Sequence, residues 1–156
     1  MEIISNSAAE TRNIGRAIAK NVLPGDILCL VGQLGSGKTM LTKGIASGLR
    51  LNAEKVISPS FVLIREHWQG RRALYHFDLY RLNDPEDILA LGYEDYLYGN
   101  GVSVIEWAER LEYLLPREFL KIELTFKDKS KRVLKFSAQG KHYKDLLGRI
   151  HEDIRN

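Results

Sequence analysis

The chain has little of what marks a secreted or membrane-bound protein. It contains a single cysteine, Cys29, so no disulfide can form within one chain, and a reducing compartment is expected. Cys29 falls in an apolar run and reads as a small core residue. No hydrophobic run approaches the length needed to span a bilayer, and no charged-then-apolar leader opens the chain, so the sequence points away from a membrane and to the cytoplasm. Prolines number only 4 in 156 residues, and there is no linker, internal repeat or low-complexity tract; a single domain over 1–156 is expected. Neither sign of charge dominates: 23 Lys and Arg against 20 Asp and Glu leave +3, which permits contact with RNA or an acidic partner without demanding either. The four histidines, His67, His76, His142 and His151, do not fall at metal-ligand spacings.

The chain does hold Gly32-Gln33-Leu34-Gly35-Ser36-Gly37-Lys38-Thr39, which fits G-x-x-x-x-G-K-[ST], the phosphate-binding P-loop. Glycines let the backbone wrap phosphate oxygens with its N–H groups turned inward. Lys38 is placed to reach β- and γ-phosphates and the Thr39 hydroxyl to ligate Mg²⁺. The setting is the required one: residues 26–31 read as a buried strand before the loop, and residues 40–46 open a helix after it.

The remaining elements follow from pattern. Residues 2–5 suit a short strand. Ser7-Ala8-Ala9-Glu10 is a capping box, with Ile14, Ala17, Ile18 and Val22 as the apolar stripe of the helix it opens. Segments 61–68 and 73–80 read as a hairpin turning at Gly70-Arg71, and Asp84-Pro85 as a helix start. Residues 102–107 form an apolar strand closing on an acid, and 108–115 a helix stopped by Pro116. Segment 120–126 alternates like an exposed antiparallel strand paired with 133–136, and 141–154 closes the chain as an amphipathic helix. The fold class is α/β: a P-loop NTPase-like three-layer sandwich, its mixed sheet having a parallel core and antiparallel hairpins. The nucleotide is expected at the C-terminal ends of the parallel strands.

Such a site needs an acid beside the P-loop hydroxyl, usually ending an apolar strand, and Glu106 stands there. In His76-Phe77-Asp78-Leu79-Tyr80-Arg81, alternation sets His76, Asp78 and Tyr80 on one face. Asp78 is a candidate to bind Mg²⁺ through water or to orient the attacking water; a structural Asp paired with an Arg is the other reading. Ser60 lies on a Pro-containing loop after the P-loop helix, where either a γ-phosphate sensor or a plain turn serine fits. Trp107 serves either the site or the core. A GTPase is disfavoured, because Asp78-Leu79-Tyr80-Arg81 lacks the glycine of D-x-x-G and no Asn-Lys pair exists for N-K-x-D. A small-molecule P-loop kinase and a nucleotide-gated binding module remain as alternatives.

Four segments together resemble the TsaE (YjeE) family, the small bacterial ATPases of tRNA threonylcarbamoyladenosine biosynthesis: the P-loop, Ser58-Pro59-Ser60-Phe61, His76-Phe77-Asp78-Leu79-Tyr80-Arg81, and Glu106-Trp107. The similarity runs nearly end to end. It implies ATP on Leu34, Gly35, Ser36, Gly37, Lys38 and Thr39, with Mg²⁺ on Thr39 and Glu106. Asp78 would be the hydrolysis-critical aspartate, Ser60 part of a switch-like loop, and Trp107 a site residue. The family usually carries Thr where Ser60 stands, so the hydroxyl is kept and the methyl lost. By the same analogy adenine lies between the N-terminal segment near Ala8 and the hairpin turn near Ser130. The resemblance also implies TsaD and TsaB as protein partners, with tRNA reached through their complex, and slow ATP hydrolysis by the chain alone.

Overall fold

Ser7 ends strand β1 (Glu2–Ser5) and starts helix α1 (Ala8–Asn21): its hydroxyl accepts the Glu10 N–H at 3.1 Å. Glu10 reaches back one residue further than a capping box requires and takes the Asn6 N–H at 2.6 Å. Ile14, Ala17, Ile18 and Val22 are all buried, as the stripe predicts. The computed structural model describes residues 1–57 and 63–156, so Ser58, Pro59, Ser60 and Phe61 lie outside the described residues.

Strand β2 (Ile27–Val31) runs into the glycine loop and helix α2 (Lys38–Gly48). Strands β3 (Ile64–His67) and β4 (Ala73–Asp78) form the expected hairpin. A 3₁₀ segment, Pro85–Leu91, and the short helix α3 (Tyr93–Leu97) lead to strand β5 (Gly101–Glu106). A second 3₁₀ segment, Ala108–Leu114, precedes strands β6 (Phe119–Phe126) and β7 (Arg132–Gln139) and helix α4 (Lys141–Arg155). Two expected helices are therefore 3₁₀ turns. Pro85–Leu91 is closed at both ends, by the Asp84 side chain and by left-handed Gly92, and seven residues between caps recover few α-type bonds. Ala108–Leu114 is broken at Glu112, whose φ of 48° is not helical.

The described strands make one sheet in the order β1-β7-β6-β2-β5-β4-β3. β4, β5, β2 and β6 are mutually parallel, and β7, β1 and β3 add antiparallel edges. Strand β6 departs from the sequence reading: it pairs antiparallel with β7 but parallel with β2, and it buries Leu120, Ile122 and Leu124 on one face. Its alternation reports one covered face and one wet face, which both kinds of pairing allow.

The registers Leu30↔Glu106 and Asp78↔Glu106, with period-two alternation, place Leu28, Leu30, Val104, Glu106, His76 and Asp78 on the face that α2 covers. Tyr96 of α3 packs on the other face, edge-on to Tyr75 and Phe77. On the first face α1 and α2 approach very closely. A Cβ on Gly15 would lie 2.8 Å from the Gly44 Cα, and one on Gly44 would land on the Arg12 carbonyl oxygen, so this crossing admits only glycine. The tight crossing fixes α2, and hence the P-loop, against the sheet.

Candidate functional site

The site is built where β2, β4 and β5 end. Gly35 and Gly37 hold φ of 76° and 106°, left-handed values that let the chain fold back on itself before α2 begins. Gly37 is the N-cap of α2 and offers no side-chain oxygen, so the first-turn N–H groups have no side-chain cap and suit an anion. Ser36 is fully buried under the loop.

Lys38 is 4 % exposed and lies across the loop. Its Nζ donates to the carbonyl oxygens of Gly32 at 2.5 Å and Gln33 at 2.9 Å, and sits 4.2 Å from the centre of the Trp107 ring. Burial pushes the Lys38 ammonium below its ordinary pKa, while Glu106, Glu109 and Asp78 pull it back up. A polyphosphate in the loop would strengthen the second influence and hold the lysine charged.

Glu106 is 2 % exposed and fully engaged. Oε2 accepts from the Thr39 hydroxyl at 3.0 Å, and Oε1 faces Thr42 Oγ1 at 3.0 Å and His76 Nε2 at 2.9 Å. The strand-end acid and the P-loop hydroxyl, 67 positions apart in sequence, thus meet directly. Asp78 stands beside Glu106 in register and accepts the Tyr80 N–H at 3.1 Å. Trp107 follows Glu106 in a left-handed conformation, φ 58°, which turns its ring back over the loop; Tyr80 packs on it at 5.1 Å.

Leu34, Gly35, Gly37, Lys38, Thr39, Met40, Glu106 and Trp107 line one cleft of about 180 Å³. The structure therefore gathers most of the residues singled out from sequence. Ser36, Asp78, Ala8 and Ser130 are not among its lining. Ala8 is exposed at the start of α1, and Ser130 is exposed in the β6–β7 turn, where its N–H goes to Asp128. Ser60 lies outside the described residues.

Three contributors were not legible in the sequence. Thr42 and His76 reach Glu106 through space, one from α2 and one from β4. Arg132, at the start of β7, donates from Nε to the Ser36 carbonyl at 3.1 Å and stacks over Phe126 at 4.4 Å, bracing the outer side of the loop. The one advance signal for any of them was the polar row His76, Asp78 and Tyr80 on an otherwise apolar strand.

A profile of the family described as threonylcarbamoyl adenosine biosynthesis protein TsaE matches residues 5–134. The chain belongs to the TsaE family. It is 40 % identical over 149 residues to the tRNA threonylcarbamoyladenosine biosynthesis protein TsaE of Bacillus subtilis, covering 94 % of this chain and 92 % of that protein. A TsaE of a Nostoc species is 37 % identical over 141 residues, covering 88 % and 85 % of the two chains. That of Treponema pallidum is 40 % identical over 124 residues, covering 80 % and 90 %. Among solved structures, the crystal structure of Bacillus subtilis YdiB superposes with a TM-score of 0.83 at 34 % identity, over 100 % of this chain and 96 % of that one. The fold is accordingly P-loop NTPase-like, as expected. Among the described residues of this TsaE-family chain, no helix is long and apolar enough to cross a membrane.

Proposed function

We propose that this chain binds and hydrolyses Mg-ATP as the small subunit acting with TsaB and TsaD in threonylcarbamoyladenosine formation in tRNAs that read codons beginning with A. The observation that carries the reading is the direct pairing of Thr39 with Glu106 beside the buried Lys38. A hydroxyl and a carboxyl oxygen at the mouth of a phosphate loop are the hard donors that Mg²⁺ accepts alongside substrate phosphates. Thr39 and Glu106 would hold the ion, which when bound would supply positive charge to offset the phosphate oxygens.

The other roles fall to the chain's own groups. The loop N–H groups and the start of α2 bind the phosphates. Lys38 exchanges its contacts with the Gly32 and Gln33 carbonyls for phosphate oxygens, and its charge stabilises the developing negative charge. Asp78, at the strand end next to Glu106, orients the attacking water. Trp107 walls the cleft and limits water around the ammonium. Membership in a threonylcarbamoyladenosine biosynthesis family favours a nucleotide-driven switch that the partners complete.

The test is phosphate release from Mg-ATP by the purified chain, with and without the matching TsaB–TsaD complex. Slow release alone that changes several-fold with the complex supports the proposal. Transfer of the γ-phosphate to a small acceptor in place of water would make the chain a kinase and overturn it.

A further inference from the structure

His76 is fully buried on β4, one strand in from the sheet edge, where an apolar side chain would cost nothing to desolvate. Of its two ring nitrogens, Nε2 lies 2.9 Å from Glu106 Oε1, and Nδ1 is buried with no hydrogen-bond partner among the described residues. A carboxylate only accepts, so the ring proton sits on Nε2 and points at Glu106. Among the described residues, the imidazole's one hydrogen bond joins β4 to Glu106, and its second nitrogen has no partner.

The other donors to Glu106 are less committed. Thr42 has one hydroxyl proton and two acceptors for it, Glu106 Oε1 at 3.0 Å and the Lys38 carbonyl at 2.9 Å. Thr39 must turn its oxygen toward the metal to ligate it, which changes its contact with Oε2. His76 is the donor whose bond to Oε1 does not change hands. Strand register reinforces the arrangement: His76 pairs with Val104 and Asp78 with Glu106, so the imidazole rises one step behind the carboxyl it holds.

We infer that His76 is a positioning residue for the metal site: it pins Glu106 Oε1 from behind and so leaves Oε2 directed at Thr39 and the nucleotide-bound cation. The inference rests on the Mg-ATP reading above. Partners that orient a metal-ligating side chain in this way commonly govern affinity by 10- to 100-fold.

The experiment compares the wild type with His76→Leu and His76→Gln, using Mn²⁺ as the probe. Mn²⁺ binding is read by electron paramagnetic resonance with a non-hydrolysable ATP analogue present. Binding of the analogue without metal, and thermal stability, are measured in parallel. His76→Leu is expected to keep its melting temperature and bind the metal-free analogue within about twofold of wild type, while Mn²⁺ affinity falls about 10-fold or more. His76→Gln, which offers an N–H at the same reach, is expected to recover much of that loss. Unchanged Mn²⁺ affinity in His76→Leu overturns the inference and leaves the Mg-ATP reading standing. Collapse of His76→Leu without recovery by the Gln variant also overturns it, by making His76 a core residue. A wild-type chain whose analogue binding ignores Mn²⁺ would sink the Mg-ATP reading, and this inference with it.

Discussion

Thr39 Oγ1 and Glu106 Oε2 stand 3.0 Å apart, tying the first turn of α2 to the last residue of β5. Substituting Glu106 with Gln keeps a hydrogen-bonding side chain of the same shape but removes the charge. Loss of a partner behind a metal ligand commonly costs about 10- to 100-fold, so altering the ligand itself should raise the Mg²⁺ concentration for half-maximal ATP binding by at least that much, with the fold retained. Magnesium titrations monitored by nucleotide binding, together with circular dichroism, check both halves. Thr39→Val should act in the same direction.

Lys38→Ala removes an ammonium that the loop and cleft hold in place. A charge-assisted contact to phosphate is worth about 1.5–3 kcal/mol, so ATP affinity should fall roughly 10- to 100-fold. Calorimetric titration measures this, and an unchanged dissociation constant would remove Lys38 from the site.

Gly44→Ala tests the helix crossing. The added methyl meets the Arg12 backbone, which cannot swing aside as a side chain would. Separating α1 from α2 should cost about 3 kcal/mol or more and show in chemical denaturation. Gly148, where an added Cβ meets nothing, is the control: Gly148→Ala should be neutral or slightly stabilising, since it lies in α4.

Tyr143 gives a pH signature. Burial pushes its phenol up to about 12, although the Ile27 N–H it accepts at 2.8 Å works in the opposite direction. A group raised above its unfolded pKa of about 10 contributes stability that is complete below pH 10 and lost as pH rises toward 12. Urea midpoints measured across that window should fall more steeply for the wild type than for Tyr143→Phe. Absorbance at the phenolate band should place the transition directly.

How much of this could be read from the chain depended on range. The P-loop, the cap at Ser7 and the acid closing β5 are local patterns whose chemistry is fixed by neighbours in sequence, and each stands where it was expected. Glu106 was nominated by its place at a strand end, but that it meets Thr39 directly, and that His76 and Thr42 converge on it, depends on how β4, β5 and α2 stack. Nothing in the residues around Thr42 distinguishes it from any helical threonine. Arg132 carries no local signal; only the return of β7 beside β6 brings it to Ser36. Apolar spacing over seven residues does not separate a 3₁₀ segment from an α-helix, so Pro85–Leu91 and Ala108–Leu114 read in sequence only as helices. The break at Glu112 has no local marker such as glycine or proline.

The left-handed turn at Trp107 has an optical consequence. The chain has two tryptophans, and Trp68 is largely exposed on the β3–β4 hairpin, away from the cleft. Replacing Trp68 with Phe would leave a single tryptophan, whose indole faces the Lys38 ammonium at 4.2 Å. Phosphates that draw that cation off the ring would change its emission. Under the proposed function the indole would report nucleotide arrival, readable in a stopped-flow mixer without any dye.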